Sequence, residues 1–186
     1  MVSRYIYDYK GVEIHCMRDH ERTYKLDFLP YHYLLTSVGH SGWVKWHDVS
    51  TGTYVAGYQT GHGPCRVMKQ NPHNAVLHLG HSNGVVSLWS PTAGKALVSM
   101  LCHNSPVTDV AVDRDGMYMA TAGLDGLLKV SSHTTSIIFV LRGLKCKYNL
   151  VLLCLLLCLC CVLRACCPSA QSMSLSCRIV VNVLYY

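Results

Sequence analysis

The stretch Asn71–Ser90, NPHNAVLHLGHSNGVVSLWS, decides the fold of this 186-residue chain. Val76, Leu77 and Leu79 form a short apolar run, and Gly80-His81-Ser82-Asn83-Gly84 interrupts it. Val85, Val86 and Leu88 form a second run that ends in Trp89. Two runs of strand length around Asn-Gly predict a β-hairpin, because the turn needs residues that tolerate positive φ.

The same pattern occurs upstream, in Asp27–Trp46, and downstream, in Asp113–Val130. Matched by residue identity, Pro30 pairs with Pro72, Gly39 with Gly80, His40 with His81, Gly42 with Gly84 and Trp46 with Trp89. The turn glycines Gly42, Gly84 and Gly126 are 42 residues apart. A histidine (His20, His62, His103) stands 26 or 27 residues before Trp46, Trp89 and Val130. A Gly-His start and a Trp-Asp end at a period of about 40 to 45 residues belong to the WD-type β-propeller blade, four strands per repeat. The dipeptides are degenerate: Gly-His is intact once, and Trp-Asp reads Trp46-His47, Trp89-Ser90 and Val130-Ser131. The fold class expected is therefore all-β, a partial WD-type β-propeller of about three blades out of seven. Such blades share a core with their neighbours, because one small sheet cannot bury both of its faces. In the third copy His103, Thr121 and Asp125 are expected to form a polar network; Ser41 and Asn83 replace the turn aspartate in the other two.

Composition divides the chain. Residues 1–130 carry all ten acidic residues and eleven of the sixteen Lys and Arg, a net charge of +1; residues 131–186 carry five bases and no acid. Eight of the eleven cysteines also fall after residue 131, leaving Cys16, Cys65 and Cys102 before it. The expected division is a partial WD-repeat β-propeller over 1–130 and a non-family tail over 131–186, disordered or a short hydrophobic helix, with one further strand near Ile137–Leu141. The tail holds Leu150–Leu163, a 14-residue run of Leu, Val and Cys. A membrane span needs about 20 apolar residues, so no membrane partner is expected. No apolar leader follows Met1, and free thiols in a reducing compartment are expected for the first part.

Candidate chemical motifs read as structural. His78 and His81 lie on a strand and in its turn, where the parallel copy offers His40 alone, so no metal is expected there. Cys158, Cys160, Cys161, Cys166 and Cys167 lack a second pair at zinc-site spacing. Asp109, Asp113 and Asp115 could be taken for a carboxylate cluster but read as a turn between two blade strands, since Asp115-Gly116 favours a turn. The sequence contains no phosphate-binding glycine loop and no nucleophile elbow. No catalytic residue, cofactor or metal is therefore expected, and the chain is not expected to be an enzyme. Lys10, Arg18, Arg22, Lys25, Arg66 and Lys69 are the bases that could meet RNA phosphates on a loop face.

Several phrases go beyond the generic repeat: Phe28–Leu35, Gln70–Val76, Leu79–Gly84, Ser87–Pro91, Gly11–Cys16 and Tyr118–Thr121. Through them residues 4–129 resemble the nucleolar WD-repeat protein of the small-subunit processome, the U-three small nucleolar RNA-associated family. The resemblance implies a non-enzymatic scaffold in the nucleolus, supporting pre-rRNA processing and 18S rRNA maturation in ribosome biogenesis. The partners it implies are processome proteins and the U-three small nucleolar ribonucleoprotein, with pre-rRNA contact. Against that family the pattern is replaced after Lys129. The alternative is a generic WD-repeat protein-interaction adaptor in nucleus or cytosol.

Overall fold

The computed structural model describes residues 4–17, 22–132, 138–142 and 179–182. Among them every regular element is a β-strand. A two-stranded ribbon, β1 (Arg4–Tyr7) and β2 (Glu13–Met17), comes first. Its turn is closed by Asp8, whose Oδ1 accepts the N–H groups of Lys10 and Val12, both at 2.8 Å. Two four-stranded antiparallel sheets follow: β3 (Thr23–Leu29), β4 (Leu34–Gly39), β5 (Trp43–Asp48) and β6 (Tyr54–Gln59), then β7 (Cys65–Gln70), β8 (Leu77–His81), β9 (Val85–Trp89) and β10 (Val98–Leu101). The last sheet begins with β11 (Val107–Val112), β12 (Tyr118–Gly123) and β13 (Leu127–Ser132) and adds β14 (Ile138–Arg142) and β15 (Ile179–Asn182). In each sheet neighbouring strands are consecutive in the chain, as in a propeller blade. This is the partial WD-type β-propeller expected from the repeat.

Strand β13 runs across the 130/131 boundary expected from composition, and β14 covers most of the stretch expected to form one more strand. The run 150–163, with the tail cysteines Cys158, Cys160, Cys161, Cys166 and Cys167, lies outside the described residues.

The hairpins fall where the glycines put them. Gly42, Gly84 and Gly126 have φ of 73°, 84° and 72°, a region a side chain enters only at a cost. Their N–H groups donate back three residues, to the carbonyls of Gly39, His81 and Gly123. Strand register fixes the repeat at 42 residues: Leu35 lies opposite His47, Leu77 opposite Trp89 and Met119 opposite Ser131.

This register corrects the alignment made by identity. Trp89 is matched by His47 and Ser131, not by Trp46 and Val130, and Trp46 is matched by Leu88 and Val130. The degenerate Trp-Asp positions are thus His47-Asp48, Trp89-Ser90 and Ser131-Ser132. Likewise the counterpart of Gly39 is His81, one residue past Gly80. Matching Trp46 to Trp89 would need a one-residue slip, which turns every side chain of a strand to the opposite face.

The apolar core lies in the seams between successive sheets. Val38, Val44 and Trp46 of the first sheet pack with Cys65, Met68, Leu77, Leu79 and Trp89 of the second. Val86 and Leu88 pack with Val107, Val110 and Met119 of the third. Tyr58, on β6, joins two tryptophans, edge-on to Trp46 at 5.9 Å and stacked on Trp89 at 6.1 Å between centroids. Asn71 is fully buried and reaches across the second seam: its Nδ2 donates to the Gly116 carbonyl at 3.2 Å, while its Oδ1 accepts the His73 N–H at 2.9 Å. Burial raises the Cys65 thiol to about 12 and the Cys102 thiol to about 11. Both cysteines are therefore protonated packing groups at neutral pH, not nucleophiles.

Candidate interaction surface

Each sheet carries buried polar groups that could pass for a functional site, and their bonding shows what they do. In the third sheet His103 is fully buried; its Nδ1 donates to the Asp125 carboxylate at 3.1 Å, and its Nε2 bonds the Thr121 hydroxyl at 3.0 Å. Burial alone would raise the Asp125 carboxyl. Hydrogen bonds from the Leu127 N–H and from His103, with the His103 charge, outweigh burial and hold it below the ordinary value. The three residues expected to form a network do so.

The second sheet solves the same problem with exchanged residues. Pro64 and Pro106 occupy matching places, accepting from the N–H groups of Ser82 and Leu124, so the counterpart of His103 is Gly61 and not His62. A Cβ on Gly123 would lie 2.6 Å from His103 Nδ1, so glycine there makes room for the ring. In the second sheet the strand position holds His81 and the loop position holds Gly61. The buried His81 ring bonds Ser87 Oγ through Nε2 at 2.6 Å, and Trp89 Nε1 donates to the same oxygen at 2.9 Å. Burial lowers His81 to about 4, with the nearby His62 adding to the shift and the Gly63 backbone opposing it. His81 is thus neutral near pH 7, and its bonds are those of a blade strut. His78, its supposed partner in a metal pair, is fully buried on β8. Among the described residues no group of three or more His, Cys, Asp or Glu is placed to hold a metal ion.

The three aspartates Asp109, Asp113 and Asp115 serve different places. Asp113 caps the β11–β12 turn, its Oδ1 accepting the Tyr118 N–H at 2.9 Å. Asp115 stands in that turn beside Gly116, whose φ is 70°. Asp109 lies on β11 in a groove formed along β3, β7 and β11, the first strands of the three sheets.

The volume of that groove is about 460 Å³, and Lys25, Asp27, Arg66, Lys69, Thr108 and Asp109 are among its lining residues. It widens toward a space of about 770 Å³ bounded by Phe28, Tyr31, Pro72 and His73. Burial raises the Asp109 carboxyl, opposed by the Val110 N–H and by the charges of Lys25 and Lys69. The two lysines therefore face acidic company. Arg22 and Arg66 are placed otherwise, with their guanidinium carbons 5.7 and 5.8 Å from the centre of the Tyr24 ring. Of the six bases singled out from sequence, the structure brings Arg22, Lys25, Arg66 and Lys69 to this groove and its rim. Lys10 lies over the Tyr9 ring in the β1–β2 turn, and Arg18 is outside the described residues. Sequence reasoning missed Tyr24, Tyr58, Asn71 and Ser87. Among the described residues, no helix is long and apolar enough to cross a membrane.

Three successive antiparallel blades with a 42-residue register and His-centred struts define a WD-repeat protein. The WD domain G-beta repeat family matches residues 94–130, which is β10 of one blade followed by β11 to β13 of the next. The chain is 53% identical over 126 residues to U3 small nucleolar RNA-associated protein 7 of Saccharomyces cerevisiae, covering 68% of this chain and 23% of that protein. It is 51% identical over 126 residues to WD repeat-containing protein 46 of Homo sapiens (68% and 21%), and 48% identical over 121 residues to the Caenorhabditis elegans protein of that name (65% and 21%). The chain is a WD-repeat protein similar to these relatives over about two thirds of its own length, and it spans about a fifth of theirs.

Proposed function

We propose that the chain acts as a non-enzymatic scaffold segment of a ribosome-biogenesis particle, the small-subunit processome. Its place of action is the nucleolus, its partners are processome proteins and the U3 small nucleolar ribonucleoprotein, and its output is pre-rRNA processing toward 18S rRNA. The propeller portion, residues 1–130, carries this role, and residues 131–186 are set apart from it. One observation carries the reading: 53% identity over 126 residues to a protein named for its association with U3 small nucleolar RNA. The described polar clusters support a scaffold, since His81, His103 and Asp125 are bonded into blade struts and the thiols of Cys65 and Cys102 are protonated.

The test is sedimentation of the epitope-tagged chain from cells, followed by measurement of U3 RNA and pre-rRNA in the tagged fractions. Co-sedimentation with both in large particles is expected. Recovery only in small complexes without either RNA would refute the proposal and favour a general WD-repeat adaptor.

A further inference from the structure

The rim of the inner groove gathers positive charge in an unusual way. Arg22 immediately precedes β3 and Arg66 lies on β7, so the two come from adjacent sheets. Both are exposed, and both guanidinium groups lie against one ring, that of Tyr24. The ring is itself held: Tyr24 Oη and His40 Nδ1 share a hydrogen bond of 2.9 Å, and the His40 N–H donates to the Arg22 carbonyl at 3.0 Å. Among the described residues neither arginine has a carboxylate within ion-pair distance. Two like charges gathered on one ring repel each other, and a bound anion would relieve that repulsion. A guanidinium beside an aromatic ring can still offer N–H groups to a bidentate oxyanion.

Arg66 also borders the groove beneath, where Lys25 and Lys69 share the lining with Asp27 and Asp109; the two lysines are offset by the two carboxylates, and Arg66 is the cation in excess. The far end of the groove offers aromatic surface instead, with Tyr31 82% and Phe28 42% exposed. Cationic contacts to a backbone followed by open aromatic faces form the arrangement that holds single-stranded nucleic acid without reading its sequence. An acidic peptide would engage the arginines but make no use of the π-faces.

The geometry points to a phosphate-binding site formed by Arg22 and Arg66 over Tyr24 that takes the backbone of single-stranded RNA. It deepens the proposed ribonucleoprotein role and rests on that reading for its choice of RNA. Each phosphate contact to a single strand contributes about 0.7 to the slope of log K against log salt concentration. Counted from 1 M salt, where this contribution vanishes, one contact is worth about fivefold in affinity at 0.1 M and two about 25-fold.

The experiment is fluorescence anisotropy of labelled oligouridylate with the full chain across a salt series. Arg22→Ala and Arg66→Ala should each weaken binding about fivefold at 0.1 M salt and lower the slope by about 0.7, adding in the double variant. Arg22→Lys with Arg66→Lys should restore most of the slope, because the charge returns. Lys25→Ala with Lys69→Ala, where acids already balance the lysines, should change binding less than twofold. Circular dichroism checks that each variant folds. The proposal is overturned if the wild-type chain fails to bind the oligonucleotide, if the double arginine variant keeps the full slope, or if an oligoglutamate peptide binds the rim as tightly as the RNA. Cells carrying the double arginine variant separate the two proposals. Weakened RNA binding with U3 co-sedimentation retained supports the rim and shows that assembly has other contacts, whereas an unchanged slope with co-sedimentation retained overturns the rim alone.

Discussion

Replacing Gly84 and Gly126 by alanine, one at a time, separates the seam between blades from the turn itself. Both residues hold the same place in a β-hairpin, with φ of 84° and 72°, and both donate to a carbonyl three residues back at 3.2 Å. An L-residue forced into this region costs about 1–2 kcal/mol, and that cost is common to both. The surroundings differ. A Cβ on Gly84 would fall on the carbonyl oxygen of His103, with the His103 carbonyl carbon at 2.7 Å and the Ser105 oxygen at 2.9 Å. On Gly126 it would meet nothing within 4 Å among the described residues. The Gly84 carbonyl also accepts the N–H groups of Cys102 and His103, at 3.1 and 3.0 Å. Moving the His103 loop far enough to admit a methyl group breaks both, at about 1 kcal/mol each. Gly84→Ala should therefore cost about 3–4 kcal/mol and Gly126→Ala about 1–2 kcal/mol. With a urea dependence of about 2 kcal/mol per molar, the two midpoints should differ by about 1 M. Far-UV circular dichroism is the assay, since all three tryptophans lie in the first two sheets. Equal midpoint shifts for the two variants would refute the reasoning, because seam packing would then contribute nothing beyond turn strain.

Three other outcomes follow from the struts and the seam. His81 in the unfolded chain takes up a proton below about pH 6.5, but in the folded chain only near pH 4. Stability should therefore fall as pH drops through that window, by about 1.4 kcal/mol per unit and about 3 kcal/mol in all. Urea midpoints between pH 7 and 4 measure the fall, and a slope unchanged in His81→Asn would assign it elsewhere. Asp125→Ala strips a partner from the buried His103 Nδ1 and from the Leu127 N–H, and should lower stability by about 1–3 kcal/mol; a neutral result in thermal unfolding would contradict the strut. Tyr58→Leu removes two aromatic contacts with Trp46 and Trp89, worth about 1–3 kcal/mol together. Tryptophan fluorescence should show both the shift in midpoint and a changed native spectrum, and an unaltered spectrum would place Tyr58 outside the pair.

What could be read without coordinates was local. Gly42, Gly84 and Gly126 announce their turns because positive φ is a property of a single residue, and the His103–Thr121–Asp125 network is recoverable from spacing because its sheet keeps the usual residues. Register was not local. Trp46 and Trp89 look like one repeat position, and only the opposition of Leu35 with His47 and Leu77 with Trp89 shows that they are neighbours in phase. The exchange of His103 and Gly123 for Gly61 and His81 was hidden for a related reason. Each partner alone reads as loss of the signature, yet the pair keeps an imidazole bonded to a strand hydroxyl in either sheet. This exchange bears on function, because a histidine bonded to a hydroxyl of its own sheet in either arrangement acts as part of the blade. Once they are assigned to the blades, attention passes to exposed charged groups that are scattered along the sequence. Arg22, Tyr24 and Arg66 meet only when β3 and β7 lie side by side. For that reason the rim, and not the histidine clusters, is where a partner should be sought.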